Sequence, residues 1–182
     1  MNRMIKKIER IEGWLQESEA LELCKCAKEA VNPIVEVGSY CGKSSVCLGT
    51  GAKWGHKVKV YCVDRHTGSE EHRRGGPVWT YPTWQRNIFS CNLVDSVIPL
   101  VMDSIKASEI VEAPISMLFI DGSHDYKSVL ADYEAWSPKL ESTGIIAFHD
   151  FRSQASVQKV VYAMKGFEEG YTKNITYFAR KK

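Results

Sequence analysis

Carboxylates, imidazoles and glycines recur in this sequence at the ends of short apolar runs, where a buried strand delivers its next side chains to a crevice. The first run, Ile34–Val37, leads into Gly38-Ser39-Tyr40-Cys-Gly42-Lys-Ser44, with Glu36 just before the bend. Glycines at 38 and 42 let the backbone turn tightly and open a helix whose first amides face outward. A second run ends at Asp64, a third at Asp103-Ser104, a fourth at Asp121-Gly-Ser-His124 and a fifth at His149-Asp150. These are groups that bind a polar small molecule, hold a divalent cation and move a proton.

Three ligand classes use such a turn. A dinucleotide needs Gly-x-Gly-x-x-Gly, but Tyr40 and Lys43 stand where the second and third glycines belong, and Tyr40 would bar a pyrophosphate. A phosphate-binding loop needs four residues between its glycines; here there are three before Gly42-Lys-Ser44, and Glu36 would repel a triphosphate. Ile115–Asp121 nevertheless has the form of the acidic strand such proteins use, so a nucleotide hydrolase stands as the alternative. The third class is S-adenosylmethionine, a cationic sulfonium with an amino-acid tail. Glu36 suits its ammonium, Ser44 its carboxylate, Asp64 the two ribose hydroxyls and Asp103-Ser104 the adenine edge, with Gly38, Ser39, Tyr40 and Gly42 forming the bend around it.

Methyl transfer from a sulfonium is an in-line displacement, and an alcohol is a poor nucleophile until it loses its proton. A metal-bound hydroxyl beside a base achieves this at neutral pH. In a parallel sheet the fourth and fifth strands are neighbours, so Asp121 and Asp150 can converge, and such oxygen donors suit Mg²⁺.

These groups need a scaffold. The apolar runs at 34–37, 58–63, 97–101, 115–120 and 145–148 lack polar alternation, as strands covered on both faces do. Helical patterns lie between them at about 42–53, 83–93, 104–111, 126–140 and 154–164, so the fold class is α/β, a Rossmann-like doubly wound and mostly parallel sheet. Pro99 cannot donate to a ladder, so the third strand belongs at an edge, as in the order 3-2-1-4-5. Ile175–Phe178 reads as a last, antiparallel strand. The first 31 residues read as two helices, one carrying Ile5, Ile8, Ile11 and Leu15, the other running from about Ser18 to Ala30, with Asn32-Pro33 ending the second. Residues 65–82 are too long and polar for a plain connection and read as a lid, with His66, Trp79 and Tyr81 shaping an acceptor pocket. Trp14, Trp136 and Phe89 read as packing residues.

Val35–Ser44 resembles the first motif of catechol O-methyltransferase. The wider set, Val63-Asp-Arg-His-Thr-Gly68, Thr83-Trp-Gln-Arg-Asn87, Leu118-Phe-Ile-Asp-Gly-Ser-His-Asp-Tyr126 and Thr143-Gly-Ile-Ile-Ala-Phe-His-Asp150, is similar to small class I S-adenosylmethionine-dependent methyltransferases related to macrolide-sugar O-methyltransferases. The likeness runs over roughly residues 10–165. It implies a metal at Asp121, His149 and Asp150, and His124 as catalytic base, with Asp121 beside it. An imidazole at 149 departs from the carboxylate or amide usual there, and favours Mn²⁺, Fe²⁺ or Zn²⁺ over Mg²⁺.

The remaining bulk properties narrow the class. The 182 residues fit a single domain. A net charge of +2 is not the footprint of a nucleic-acid binder. No apolar window is long enough for a membrane helix, and no secretion signal is visible, so the expected location is cytoplasmic. The six cysteines lack the paired spacing of a zinc site and read as reduced, small hydrophobes. Cys24 and Cys26, two apart on a helix, are expected on nearly opposite faces. The expected partner is a small hydroxylated substrate, with no nucleic acid or membrane; a homo-oligomer is compatible, and a non-catalytic cofactor-binding module is the remaining rival.

Overall fold

The computed structural model describes residues 2–69 and 72–182; Glu70 and Glu71, inside the segment read as a lid, lie outside the described residues. Two N-terminal helices, α1 (Asn2–Ile8) and α2 (Glu17–Glu29), precede an alternating series: β1 (Ile34–Val37), α3 (Lys43–Trp54), β2 (Val60–Val63), α4 (Tyr81–Ser90), β3 (Val97–Leu100), α5 (Ser104–Ile110), β4 (Ile115–Ile120), α6 (Tyr126–Trp136), β5 (Leu140–Phe148), α7 (Ala155–Ala163), β6 (Tyr171–Lys173) and β7 (Thr176–Arg180). They form one sheet of order β3-β2-β1-β4-β5-β7-β6, parallel through β5, with β7 antiparallel to β5 and to β6.

Every residue of β1 and β4 is buried, which is why both lack polar alternation, with Glu36 and Ser116 their only polar members. One apolar layer packs α2, α3 and α4 on one face of the sheet, and a second packs α5, α6 and α7 on the other. Pro99 lies on edge strand β3 opposite Cys62 of β2, where its missing N–H costs no ladder bond on the far side.

Several expectations are corrected. The spacing of Ile11 and Leu15 extends the first helix, yet α1 ends at Ile8; the chain tightens through the Ile11 N–H to the Ile8 carbonyl and then bends at Gly13 (φ 144°). Both residues still reach the core through that bend. Trp14 and Phe89 lie outside the core, 62% and 71% exposed, with the Trp14 ring 5.4 Å from that of Tyr40, whereas Trp136 is fully buried. Cys24 and Cys26 are both buried, because α2 is covered by α3 on one side and by the β6 hairpin, through Tyr171 and Glu22, on another. All six cysteines are free. The segment read as a lid ends at Thr80, the residue before α4, and includes a short 3₁₀ turn at His72–Gly75.

Candidate active site

β1 ends at Val37 and the chain bends at once. Gly38 adopts φ 87°, and a Cβ there would lie 2.1 Å from the carbonyl oxygen of Asp121, so glycine alone lets the loop pass the end of β4. Gly42, at φ 89°, caps α3 with the Trp84 ring 2.9 Å from where its Cβ would be.

The loop between them is held from two sides. Glu36 is wholly buried beneath it and accepts from Ser39 Oγ at 2.8 Å and from Ser45 Oγ, which in turn accepts from Trp84 Nε1 at 3.0 Å. Burial raises the Glu36 pKa, although hydrogen bonds from Ser44, Ser45, Cys62 and Ser39 oppose this. From the other side, Asp64 Oδ2 accepts the N–H groups of Ser39 and Tyr40 at 2.9 and 2.8 Å, and Oδ1 accepts that of His66 at 2.7 Å. These are amides that a phosphate-binding loop would offer to a triphosphate. Here Asp64 already occupies them and its charge would repel a triphosphate, which disfavours the nucleotide-hydrolase alternative.

A cavity of about 260 Å³ opens at the carboxyl ends of β1, β2, β3 and β4, where the sheet order reverses. Gly38, Tyr40 and Asp64 line it, as do Asp103, Ser104 and Asp121. Glu36, Ser39, Gly42 and Ser44 do not; they are buried behind it and fix the bend. The side chain of Asp103 caps α5 by accepting from Ile105 N at 3.1 Å, and Ser104 Oγ accepts from Trp136 Nε1 at 2.9 Å. Sequence reasoning missed Met102, Ser128, Ala131 and Asp132 on the same wall. Asp132 sits in mid-helix between Ala131 and Tyr133, and nothing in its local pattern marks it as buried.

Beside the cavity, the ends of β4 and β5 bring three side chains together: one ligand atom each from Asp121, His124 and Asp150 lies within 4.8 Å of the others. His124 Nε2 is 3.0 Å from Asp150 Oδ2. Asp121 and Asp150 converge as expected, but His149, read as the third metal ligand, stands behind them. Its Nδ1 lies 2.9 Å from Asp150 and 3.1 Å from Asp121, and its Nε2 is 3.7 Å from the buried Glu19. Burial alone would lower the His149 pKa, yet the carboxylates of Asp121 and Asp150 push it up to about 11. An imidazolium donates from both nitrogens and has no lone pair for a metal. The Asp121 pKa is raised by burial despite the opposing charge of His149. Burial acts on Asp150 in the same sense, but hydrogen bonds from His124, His149 and Ser153 hold its carboxyl well below the usual range.

His66, read as part of the acceptor pocket, is buried. Its Nδ1 is 2.9 Å from Thr80 Oγ1 and its carbonyl accepts Thr80 N–H, so it ties together the two ends of the segment above the cavity. Trp79, Tyr81 and Trp84 surround its ring.

Residues 35–151 match the family model described as "Methyltransferase domain". The uncharacterized protein y4gI of Sinorhizobium fredii is 28% identical over 121 residues, 64% of this chain; the chain spans only 13% of that protein's length. Among solved structures, the O-methyltransferase NovP matches with a TM-score of 0.71 at 18% identity, over 90% of this chain and 79% of that one. The O-methyltransferase from Bacillus cereus in complex with SAH matches at 0.68 and 16% identity, over 100% of this chain and 90% of that one. Such identities speak to the fold, which has the sheet order and switch-point cavity already described. Because the family model covers more than half of the chain, the protein belongs to the methyltransferase-domain family.

Proposed function

We propose that this protein methylates a hydroxyl group of a small acceptor such as a sugar, using S-adenosylmethionine and a divalent metal. The observation that carries the reading is the cluster of Asp121, His124 and Asp150 at the rim of the switch-point cavity. S-adenosylmethionine supplies a methyl group on a cationic sulfur. The cavity fits it chemically: Asp64 Oδ1 keeps a free lone pair beside the carboxylate's three N–H contacts, Asp103 and Ser104 offer polar edges, and Gly38 lets a ligand approach the backbone. Two carboxylates with one neighbouring imidazole fit Mn²⁺ or Mg²⁺, whose charge would favour the ionised acceptor hydroxyl.

The chain's own residues do the rest. Asp121 and Asp150 would hold the metal, and His149, between them and Glu19, keeps both carboxylates oriented. His124, half-exposed and held by Asp150, is placed to take the acceptor's proton. The segment closed by His66 and Thr80 would cover the site from water. No helix among the described residues is long and apolar enough to cross a membrane, in keeping with a cytoplasmic enzyme on a small soluble substrate.

Calorimetry comes first: S-adenosylmethionine should bind at about micromolar strength, roughly −8 kcal/mol, and ATP should not bind. Methyl transfer to a panel of sugars and phenols should then vanish with EDTA and return with Mn²⁺ or Mg²⁺. Binding of ATP alone would overturn the cofactor; transfer untouched by chelator would remove the metal. Binding without transfer to any acceptor would favour a non-catalytic module.

A further inference from the structure

The cavity opens at the carboxyl ends of the strands, and the opposite end of the sheet carries a different surface. There the chain enters β1, β2 and β3 through residues 30–33, 55–59 and 91–96, and the three entries adjoin. The Ile34 N–H donates to the Lys59 carbonyl at 2.9 Å, and the Val60 N–H to that of Ser96 at 2.8 Å. Gly55 closes the remaining gap, since a Cβ there would lie 2.0 Å from the Lys28 carbonyl oxygen in the last turn of α2.

Four large apolar side chains are exposed on or beside this surface: Val31 after α2, Trp54 at the end of α3, Phe89 in the last turn of α4 and Val94 in the turn that follows. Single exposed apolar residues are ordinary on a folded domain, but a group of them ringed by charge marks a contact surface. Lys7 donates to the Ser90 carbonyl at 3.1 Å, Lys53 to that of Asn92 at 3.0 Å and Lys59 to that of Asp95 at 2.7 Å. Ammonium groups from three parts of the chain therefore converge on the segment that bears Phe89 and Val94. Each caps a carbonyl left over where α4 ends, yet uses only one of its three N–H donors to do so. Lys28 and Lys57 add two more exposed charges. The acids in these segments are Glu29 and Asp95, and Glu29 lies 3.8 Å from Arg180.

The chemistry of the surface selects its partner. The five charges so placed are all lysines, hydrated point charges on flexible stems, which suit a diffuse negative field better than the paired oxygens that arginine grips. Two of the four apolar groups are valines, which give a nucleobase no plane to stack on. All four can enter the boundary between lipid headgroups and acyl chains.

We propose that the amino end of the sheet is a membrane-docking face, by which the protein rests on a bilayer surface rich in anionic phospholipid. The lysines meet the negative headgroups while Val31, Trp54, Phe89 and Val94 dip below them. No helix among the described residues is long and apolar enough to span a bilayer, and lying on the surface requires none. Docked in this way, the cavity faces away from the lipid and stays open to a soluble acceptor.

The test is co-sedimentation of the full chain with vesicles of phosphatidylcholine alone and with vesicles containing about a quarter phosphatidylserine. Binding should be about tenfold or more stronger on the anionic vesicles at about 0.1 M salt, and lost at about 0.5 M. Two double variants divide the contributions. Lys28→Gln with Lys57→Asn removes charges that make no side-chain hydrogen bond among the described residues, and asparagine suits the φ of 59° at position 57. Phe89→Ser with Val94→Ser removes exposed apolar groups. Each pair should weaken anionic-vesicle binding about tenfold with the circular dichroism spectrum unchanged. Equal binding to both vesicle types, or none to either, overturns the assignment, as does anionic binding that both pairs retain. A duplex oligonucleotide bound at a salt concentration where the vesicles are not would make the face a nucleic-acid surface and overturns it too.

Discussion

Gly38 packs so closely on Asp121 that a single added carbon would fall 2.1 Å from the Asp121 carbonyl oxygen. The glycine loop after β1 and the end of β4 are therefore in backbone contact, and neither can shift alone. Alanine at 38 would combine a left-handed φ with a clash against main chain, which cannot rotate away as a side chain would. Gly38→Ala should lower the unfolding free energy by about 2–4 kcal/mol, read as a fall in urea midpoint at unchanged m-value, and should abolish S-adenosylhomocysteine binding. A variant of native stability would show the contact to be loose.

Glu36 poses the opposite question, because its type suggests a ligand contact and its position denies one. Its pKa is raised by burial, so the native state binds the proton more tightly than the unfolded chain does. The sign follows: the associated stability is fully present below the unfolded pKa of about 4.3 and is lost as pH rises through the raised native value. Glu36→Gln keeps an acceptor for Ser39 and Ser45 without the charge. Urea unfolding should show the variant gaining on the wild type as pH rises from 4 to 8, with S-adenosylhomocysteine affinity within about threefold. A tenfold loss of affinity, about 1.4 kcal/mol, would restore Glu36 to the ligand's ammonium.

What the sequence discloses and what it conceals divides along the distance over which a residue's surroundings are set. Pro99 names its edge because a missing N–H is a local fact, and Asp121, His124 and Asp150 are legible because strand ends project into the switch point whatever the packing. The direction of Glu36 depends on Trp84 from a helix 48 positions away, acting through Ser45, and no local pattern carries that. His149 was legible as a member of the Asp121–Asp150 cluster, read there as a ligand, but not as an imidazolium, since its charge depends on Asp121, Asp150 and Glu19 all facing one ring. β6 escaped because Tyr171–Lys173 is an edge strand of three largely exposed residues, too short for any periodicity.

Asp150 adopts φ 57°, a conformation that asparagine tolerates as well as aspartate does. Asp150→Asn therefore removes charge from the cluster without straining the backbone. Methyl transfer should fall about 10²–10⁴-fold, the usual worth of a positioned base and its partner, as should that of His124→Ala. Because the two side chains meet at 3.0 Å, the double variant should lose little more than either single one. S-adenosylhomocysteine affinity and the circular dichroism spectrum should remain as in the wild type. Retained turnover in both single variants would reduce the cluster to a structural feature.

Asp132, buried on the cavity wall, has a pH signature of its own. Burial pushes its pKa up to about 6, aided by Asp103 and Asp125, while the hydrogen bond from Ser104 and the charge of Arg65 oppose the rise. In the unfolded chain it titrates near 3.9, so the native state holds the extra proton between those two values. Stability from this group is full below about pH 3.9 and drains away until about pH 6, by roughly 3 kcal/mol in all; above that the loss is constant. Asp132→Asn carries no charge to bury. It should match the wild type at pH 4 and exceed it at pH 8, with the gap opening between pH 4 and 6 in urea unfolding. A gap that instead favoured the wild type at pH 8 would mean that the ionised carboxylate is stabilised in the fold, by Arg65 or by a bound cation, more than burial disfavours it.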